Sequence, residues 1–350
     1  MAINRRRFLQ LSGSSLLLAL GGGDIAASGM LIGGYRSRDN RFGVAAVHPN
    51  GQQIWSHVLP GRLHEMAVEP HLQQVAAFAR RPGKFIALLD SAQGHLLGQI
   101  DVPEGFVFEG HGLWQDAWLW ATAATENGAA HLLAYDLSAG YAPGLKPSRI
   151  IALPGIGPHQ VLALGGSLVV ALGGWRTNDR EILNTEDFES ALAWVDLHSG
   201  ETRLLASPDP QLSVRHLATD GETIWAGLQY ANPHASDAAL IYQTTGSGWQ
   251  ALPAPEPGWK IFSGYIGSLA QVHDELLATS PQGHRFGRWN LPSGRCIETT
   301  SVLDVCPVAA GNHQWFVGSG TGALRSAHSD WHASDFFWDN HWTYLNLQGV

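Results

Sequence analysis

Short apolar runs alternate with turn-forming segments along nearly the whole chain. The turns are rich in Asp, Asn and Ser, and the runs beside them have the lengths of strands joined by hairpins. Six turn glycines lie 43, 46, 60, 46 and 48 residues apart: Gly51, Gly94, Gly140, Gly200, Gly246 and Gly294. A repeat of this length with several short strands is typical of a β-propeller, whose blades are four-stranded sheets.

The strands of one unit can be placed individually. They are predicted at 64–69, 74–78, 85–90 and 96–102. Four further units repeat this order, and partial units at 30–60 and 305–347 flank them. We therefore predict an all-β fold, a single propeller of seven four-stranded blades closed by pairing of the N- and C-terminal strands. Six or eight blades are the alternatives.

The N-terminus combines a basic cluster with an apolar run. The segment Asn4-Arg5-Arg6-Arg7-Phe8-Leu9-Gln10 resembles a twin-arginine export signal. The apolar run at 16–20 is far shorter than the ~20 residues that span a bilayer. We expect residues 1–28 to be a signal peptide and 29–350 to form the propeller, in a periplasmic protein without a stable membrane span. An uncleaved membrane anchor is the alternative.

Composition and motifs exclude several classes of function. The chain has 21 basic and 30 acidic residues, and no basic cluster follows the first residues, so we expect no nucleic-acid partner. Two cysteines, Cys296 and Cys306, without a C-x-x-C motif do not make a disulfide scaffold or a redox motif. Nucleotide-binding, hydrolase and zinc-protease motifs are absent.

Histidine recurs at one position of the repeat. His64, His111, His159 and His216 begin four successive inner strands at intervals of 47, 48 and 57, and Tyr265 and Cys306 occupy the same position in the next two units. Inner strands line the central channel of a propeller. The four histidines are therefore predicted to surround one mouth of the channel, as ligands of a metal ion.

Polar loops are predicted on the same face as these histidines. The candidate ligand-binding residues are Arg36, His64, Arg81, His111, Glu126, His159, Arg215, His216, Gln229, Tyr265 and Ser280. Imidazoles favour Fe, Cu or Zn, whereas guanidinium groups favour a small anionic ligand or a metal-bound anion. The alternative is that the histidines only hold blades together. Residues on opposite blades could also be too far apart to share an ion at ~2.0–2.1 Å.

Two segments depart from the repeat. The charged insertion at 176–187 is interpreted as a surface loop, with a lid or partner contact as the functional alternative. The aromatic segment at 330–342 is expected to pack on the terminal blade, unless it forms an exposed docking surface.

Several short motifs together resemble a known family. They are Arg80-Arg81-Pro82-Gly83, Gly110-His111-Gly112, Gly157-Pro158-His159, Ser213-Val214-Arg215-His216-Leu217, Tyr265-Ile266-Gly267-Ser268, Ser280-Pro281-Gln282-Gly283 and Asp304-Val305-Cys306. With the twin-arginine segment, they resemble a family of exported bacterial propellers of unknown function. Its members are often encoded beside imelysin-type and di-haem peroxidase-like periplasmic proteins, which implies a setting of periplasmic iron or metal acquisition.

These observations lead to two functional hypotheses. The first is a non-catalytic periplasmic binding protein that presents a His/Arg channel mouth to a transition metal, a small anionic ligand or a periplasmic protein partner. The second is a metal-dependent enzyme, lactonase-like or an oxidoreductase, that uses the same mouth. No catalytic residue is assigned.

Overall fold

The protein is described here by a computed structural model. It describes residues 29–69, 71–178, 181–186, 188–232 and 237–346, without the side chain of Asn178. The predicted signal peptide at 1–28 lies outside the described residues.

Seven four-stranded antiparallel sheets form the blades of a propeller. The first strands are β1 (Gly29–Arg36), β2 (Phe42–Val47) and β3 (Gln53–Leu59). Blade 1 contains β4 (Leu63–Glu69), β5 (Gln74–Ala79), β6 (Phe85–Asp90) and β7 (Leu96–Asp101). Blade 2 contains β8 (Phe106–Gln115), β9 (Trp118–Thr125), β10 (Ala129–Asp136) and β11 (Arg149–Ile156).

Blade 3 carries an inserted two-stranded hairpin. Its own strands are β12 (Pro158–Leu164), β13 (Ser167–Leu172), β16 (Ala191–Asp196) and β17 (Thr202–Ala206), with β14 (Thr177–Asn178) and β15 (Glu181–Ile182) inserted between β13 and β16. Blade 4 contains β18 (Leu212–Thr219), β19 (Ile224–Tyr230), β20 (Ile241–Thr244) and β21 (Gln250–Ala251). A short 3₁₀ helix at Trp259–Phe262 leads into blade 5.

The remaining strands complete the circle. Blade 5 contains β22 (Ser268–Val272), β23 (Glu275–Ser280), β24 (Arg285–Asn290) and β25 (Arg295–Ser301). Blade 6 contains β26 (Val305–Gly311), β27 (Gln314–Ser319), β28 (Ala323–Ser326) and β29 (His332–Ala333). The last strand is β30 (Phe337–Asn346).

Blade 7 joins the two ends of the chain. Strand β30 pairs with β1, from Gly29 opposite Asn346 to Arg36 opposite Phe337, and the order of the sheet is β3-β2-β1-β30. Strand β30 packs between the inner strands β26 and β4. The C-terminal strand is therefore the inner strand of blade 7. The predicted all-β propeller with seven blades and paired ends is confirmed.

The core lies between blades and explains the uninterrupted apolar runs of the sequence. In β5, Val75 and Ala77 face a cluster shared with blade 7, whereas Ala76 and Phe78 face a cluster shared with blade 2. Successive side chains of a strand point to opposite faces, and both faces of each blade are covered. Each inner or second strand therefore has apolar residues at consecutive positions.

The two segments that depart from the repeat differ in burial. In the described part of the insertion, β14 pairs with β15, and Leu183 is exposed. In the aromatic segment, Phe336, Trp338 and Trp342 are buried between blades 6 and 7, as predicted. Within the described ranges, no helix has the length and apolar character needed to cross a bilayer.

Candidate functional site

Six of the seven inner strands carry a β-bulge at the same level of the channel. The register shifts lie between Leu63 and Met66, Phe108 and Gly112, Pro158 and Val161, Val214 and His216, Val305 and Val308, and Trp338 and Trp342. A bulge bends a strand and changes the direction of its side chains. The residues in or beside these bulges are His64, His111, His159, His216, Cys306 and His341. The repeated histidine position is therefore a repeated bulge.

Five imidazoles form a closed ring in the channel, which we call the histidine ring. It comprises His64, His111, His159, His216 and His341, all buried. In that order around the ring, neighbouring centroids are 4.5, 4.2, 4.8 and 4.9 Å apart, and His341 lies 4.9 Å from His64. The side chains come from blades 1, 2, 3, 4 and 7 and meet across the channel, so channel width does not keep them apart.

Two overlapping triplets of the histidine ring could each hold a metal ion. In the triplets His64–His111–His159 and His111–His216–His341, one nitrogen from each residue lies within 4.8 Å of the others. Ligands bound to one ion at ~2.0–2.1 Å lie within about 4.2 Å of each other. The triplets come close to this spacing, and His111 belongs to both.

Three histidines have one ring nitrogen paired with a protein group. His111 Nδ1 lies 2.9 Å from Glu65 Oε2, His216 Nε2 lies 3.3 Å from the Tyr265 hydroxyl, and His341 Nδ1 lies 3.2 Å from Ser268 Oγ. Their other nitrogens are buried and have no hydrogen-bond partner among the described residues. The same holds for Nδ1 of His64 and of His159. Metal-binding histidines commonly use one nitrogen for the ion and the other for such a partner.

Glu65 connects three neighbouring blades beside the histidine ring. Its Oε2 accepts a hydrogen bond from the backbone N–H of Gly112 at 3.2 Å, and its Oε1 accepts one from Gln160 Nε2 at 2.8 Å. Gln160 Oε1 in turn accepts a hydrogen bond from the backbone N–H of Leu217 in blade 4. Burial raises the pKa of Glu65, but the charge and hydrogen bond of His111 outweigh it and leave the pKa below its usual value.

Burial keeps most of the histidine ring uncharged at neutral pH. It is the main reason why the pKa values of His64, His159 and His216 lie well below the ordinary histidine value, and nearby positive charges add to the effect. Burial and the charge of His111 lower the pKa of His341 to about 3. A metal ion binds the neutral imidazole, so these side chains are ready to act as ligands without losing a proton.

A cavity of about 480 Å³ opens above the histidine ring, and we call it the mouth cavity. His64 and His159 form part of its wall, together with Gln229 and Tyr265. Four guanidinium side chains also line it: Arg62, Arg80, Arg81 and Arg215. The mouth cavity therefore joins the imidazoles to a positively charged entrance.

The structure brings together most of the residues predicted for the site. The mouth cavity contains His64, Arg81, His159, Arg215, Gln229 and Tyr265, and His111 and His216 lie deeper in the channel.

Three other predicted residues lie apart from the mouth cavity. Arg36 is exposed, hydrogen-bonds to Asn40 and lies over the ring of Phe337. Glu126 is exposed and lines a separate cavity beside Trp175. Ser280 is buried, and its hydroxyl donates to the carbonyl of Phe262, which is a structural role at the start of blade 5. None of the three lines the mouth cavity.

Sequence reasoning missed His341 and Glu65. His341 lies in the aromatic segment, for which the sequence predicts packing or a docking surface but no part in the site. Since closure by the C-terminal strand was predicted, aligning that strand with the other inner strands would have placed His341 in the histidine position. Glu65 directly follows His64, but nothing in the sequence indicates that it reaches His111 of the next blade.

Solved propellers share the fold at low sequence identity. BamB from Moraxella catarrhalis is 12% identical with a TM-score of 0.52, and the match covers 87% of this chain and 92% of BamB. Apo AztD from Citrobacter koseri is 9% identical with a TM-score of 0.54, covering 91% and 98%. Hydrazine synthase from Kuenenia stuttgartiensis is 12% identical with a TM-score of 0.56, covering 90% and 99%. These similarities support the propeller fold.

The comparison with curated proteins finds no match. A family of proteins of unknown function, DUF1513, matches residues 57–345, which include all five members of the histidine ring. The chain therefore belongs to the DUF1513 family.

Proposed function

We propose that this protein is a non-catalytic binding protein that holds a transition-metal ion, Fe, Cu or Zn, in the histidine ring. The observation that carries the proposal is the set of buried ring nitrogens without a partner in the described part of the chain. Each buried polar atom left unpaired costs about 1–3 kcal/mol. Five such atoms are gathered at one level of a channel, and an ion bound by either triplet would provide a partner for three of the histidines.

The chemistry of the ring fits a metal of this class. Imidazole nitrogen is a good ligand for iron, copper and zinc, and the low pKa values leave most of the rings neutral. Glu65, Tyr265 and Ser268 orient three of the rings through their second nitrogens. His111 is central because it belongs to both triplets.

The cellular setting of the proposal is the periplasm. The twin-arginine segment at 4–10 and the family resemblance support export and a role in iron or metal acquisition. A periplasmic protein that delivers or receives the metal is the partner expected from this setting.

Metal titration tests the proposal. Protein stripped with a chelator is titrated with Fe(II), Cu(II) and Zn(II), alongside a His111→Gln variant. His131→Gln is the matched control, because His131 lies in the same blade and bonds to the carbonyl of Ala129 outside the channel. We expect stoichiometric binding of at least one ion, weakened at least about 100-fold by His111→Gln and unchanged by His131→Gln. Absence of uptake, or uptake independent of His111, would contradict the proposal.

A metal-dependent enzyme is the second candidate. The mouth cavity favours it, because a space of about 480 Å³ that opens onto His64 and His159 can admit a small substrate beside a bound ion. Lactone hydrolysis and oxidation assays on the metal-loaded protein test this candidate. Turnover that disappears in His111→Gln would support an enzyme.

A further inference from the structure

Arg215 lies in an unusual environment for an arginine. It precedes His216 in β18, is only 3% exposed, and its guanidinium lies 5.2 Å from the centroid of the Trp175 ring. Its Nε and Nη1 have no hydrogen-bond partner within the part of the chain that the structure describes. A buried charge without a partner is strongly unfavourable, so this position needs a compensating group.

The side chains around Arg215 compensate its charge only in part. Burial lowers the pKa of Arg215 to about 9, the charge of Glu109 offsets some of this effect, and no described residue accepts a hydrogen bond from Nε or Nη1. Arg62 forms an ion pair with Asp339, and Arg81 lies 3.7 Å from Glu109. The carboxylate of Asp304 also lines the mouth cavity. Burial raises the pKa values of all three acids, and the charges of nearby arginines oppose that rise. With four guanidinium groups in its wall, the mouth cavity favours an anion.

The backbone leaves space for Arg215 at one particular glycine. A Cβ atom on Gly173 would lie 2.6 Å from Nη1 of Arg215 and 3.0 Å from Oγ of Ser213. Ser213 itself is held by donating to the carbonyl of Gly173 at 2.7 Å. The guanidinium therefore lies between the face of the Trp175 ring and the backbone at Gly173, which has no side chain. An arginine held in one place recognises oxyanions with little loss of entropy.

We infer that the mouth cavity binds a small oxyanion, a carboxylate or a phosphate, on Arg215. The anion would lie between Arg215 and the wall formed by His64 and His159. The positive charge of Arg215 contributes to the low pKa of His159 and would equally oppose a bare metal cation in the ring. An oxyanion between them compensates both charges. The coupling of anion and metal rests on the proposed function, whereas the anion site rests on Arg215 alone.

Calorimetric titration with inorganic phosphate and with citrate tests this site and distinguishes the two kinds of oxyanion. Wild-type protein is compared with Arg215→Met in the metal-free and metal-loaded forms. Arg203→Met is the matched control, because Arg203 also lies over a tryptophan, 4.1 Å from the centroid of Trp194, but on the outer strand of blade 3. We expect at least one anion to bind, with Arg215→Met at least 10-fold weaker and Arg203→Met unchanged.

The outcomes separate this inference from the proposed function. Binding of neither anion in either form, or equal binding by Arg215→Met, would overturn the anion site. Anion binding that depends on Arg215 in a protein that takes up no metal would uphold it and reject the metal proposal. If both the metal and the anion bind, each should increase the affinity of the protein for the other by the same factor, because coupling between two binding sites is reciprocal. A metal affinity that does not change when the anion is present would overturn the idea that the anion lies between Arg215 and a metal ion in the histidine ring.

Discussion

A buried carboxylate decides which nitrogen of His111 carries the proton. The pKa of Glu65 lies below its usual value, so its carboxylate is ionised and can only accept hydrogen bonds. His111 Nδ1 must then donate to Glu65, so in the neutral imidazole the lone pair lies on Nε2. That nitrogen is buried without a protein partner among the described residues. A single side chain thus prepares the histidine shared by both triplets for an ion.

The titration of His341 predicts how the metal-free protein responds to acid. The pKa of this residue is about 3 in the folded protein and near 6.5 when the chain is unfolded. Between these values the unfolded chain binds a proton that the folded protein does not bind. Stability from this residue is therefore present above pH 6.5 and is lost as the pH falls toward 3, at about 1.4 kcal/mol per pH unit.

Chemical unfolding of metal-free protein between pH 7 and pH 4 measures this effect. The titratable groups that face His341 are His64, Glu65, Arg80, His111 and His216. In His341→Gln we expect the fall in unfolding free energy to be smaller by about 1.4 kcal/mol per pH unit. His198→Gln, an exposed turn residue, should follow the wild-type curve. Equal pH dependence of His341→Gln and wild type would contradict the prediction.

At the scale of single strands, the bulges bend the inner strands and direct their histidine side chains into the channel. In β8 the bulge requires a glycine: Gly110 has φ of 92°, and a Cβ there would lie 2.9 Å from Cδ2 of His64 in the neighbouring blade. The strand therefore turns its backbone toward His64 at the position just before His111. A side chain here would strain the bulge and displace one imidazole.

Gly110→Ala tests this role against a matched glycine. Gly144 also has positive φ, at 76°, but a Cβ there meets nothing within 4 Å, so Gly144→Ala reports backbone strain alone. We expect both variants to lose about 1–3 kcal/mol of unfolding free energy, with Gly110→Ala losing more. Only Gly110→Ala should weaken metal binding. Denaturant titration and metal titration measure the two effects, and equal metal affinity in both variants would disprove the role.

Strand positions could be predicted from the sequence, whereas the bulges could not. The strands of blade 1 were placed to within one residue, because apolar runs and Gly-containing turns mark them directly. A bulge adds a residue without altering the apolar pattern, so the direction of His64 or His216 stays hidden. Contacts such as Glu65 to Gln160, 95 positions apart, depend on how blades are placed around the axis.

At the scale of the whole molecule, the closing blade also completes the histidine ring. Trp342 in β30 packs against Gly33 of β1 and Gly318 of blade 6, where a Cβ would lie 2.2 and 2.3 Å from its ring atoms. His341, its neighbour in sequence, points into the channel beside His64 and His216. The pairing of the two chain ends therefore holds one of the five imidazoles in place.

Metal binding should consequently stabilise the closure of the propeller. An ion that binds only the folded protein adds about 2.7 kcal/mol at a free concentration of 100 times Kd. Because His341 can bind the ion only while β30 stays paired with β1, zinc should slow hydrogen exchange at backbone amides of β1 and β30, around the opposed residues Ile32 and Thr343. Exchange mass spectrometry with and without zinc measures this protection.

The His341→Gln variant distinguishes the effect of zinc on the β1–β30 pairing from its effect on the other blades. The triplet His64–His111–His159 remains in this variant, so zinc should still bind and still protect blades 1 to 3. Protection of the β1–β30 amides should fall, because the closing strand no longer contributes a ligand. Equal protection of β30 in wild type and variant would mean that the ion lies in the first triplet alone. The closing strand would then support the channel wall without binding the ion.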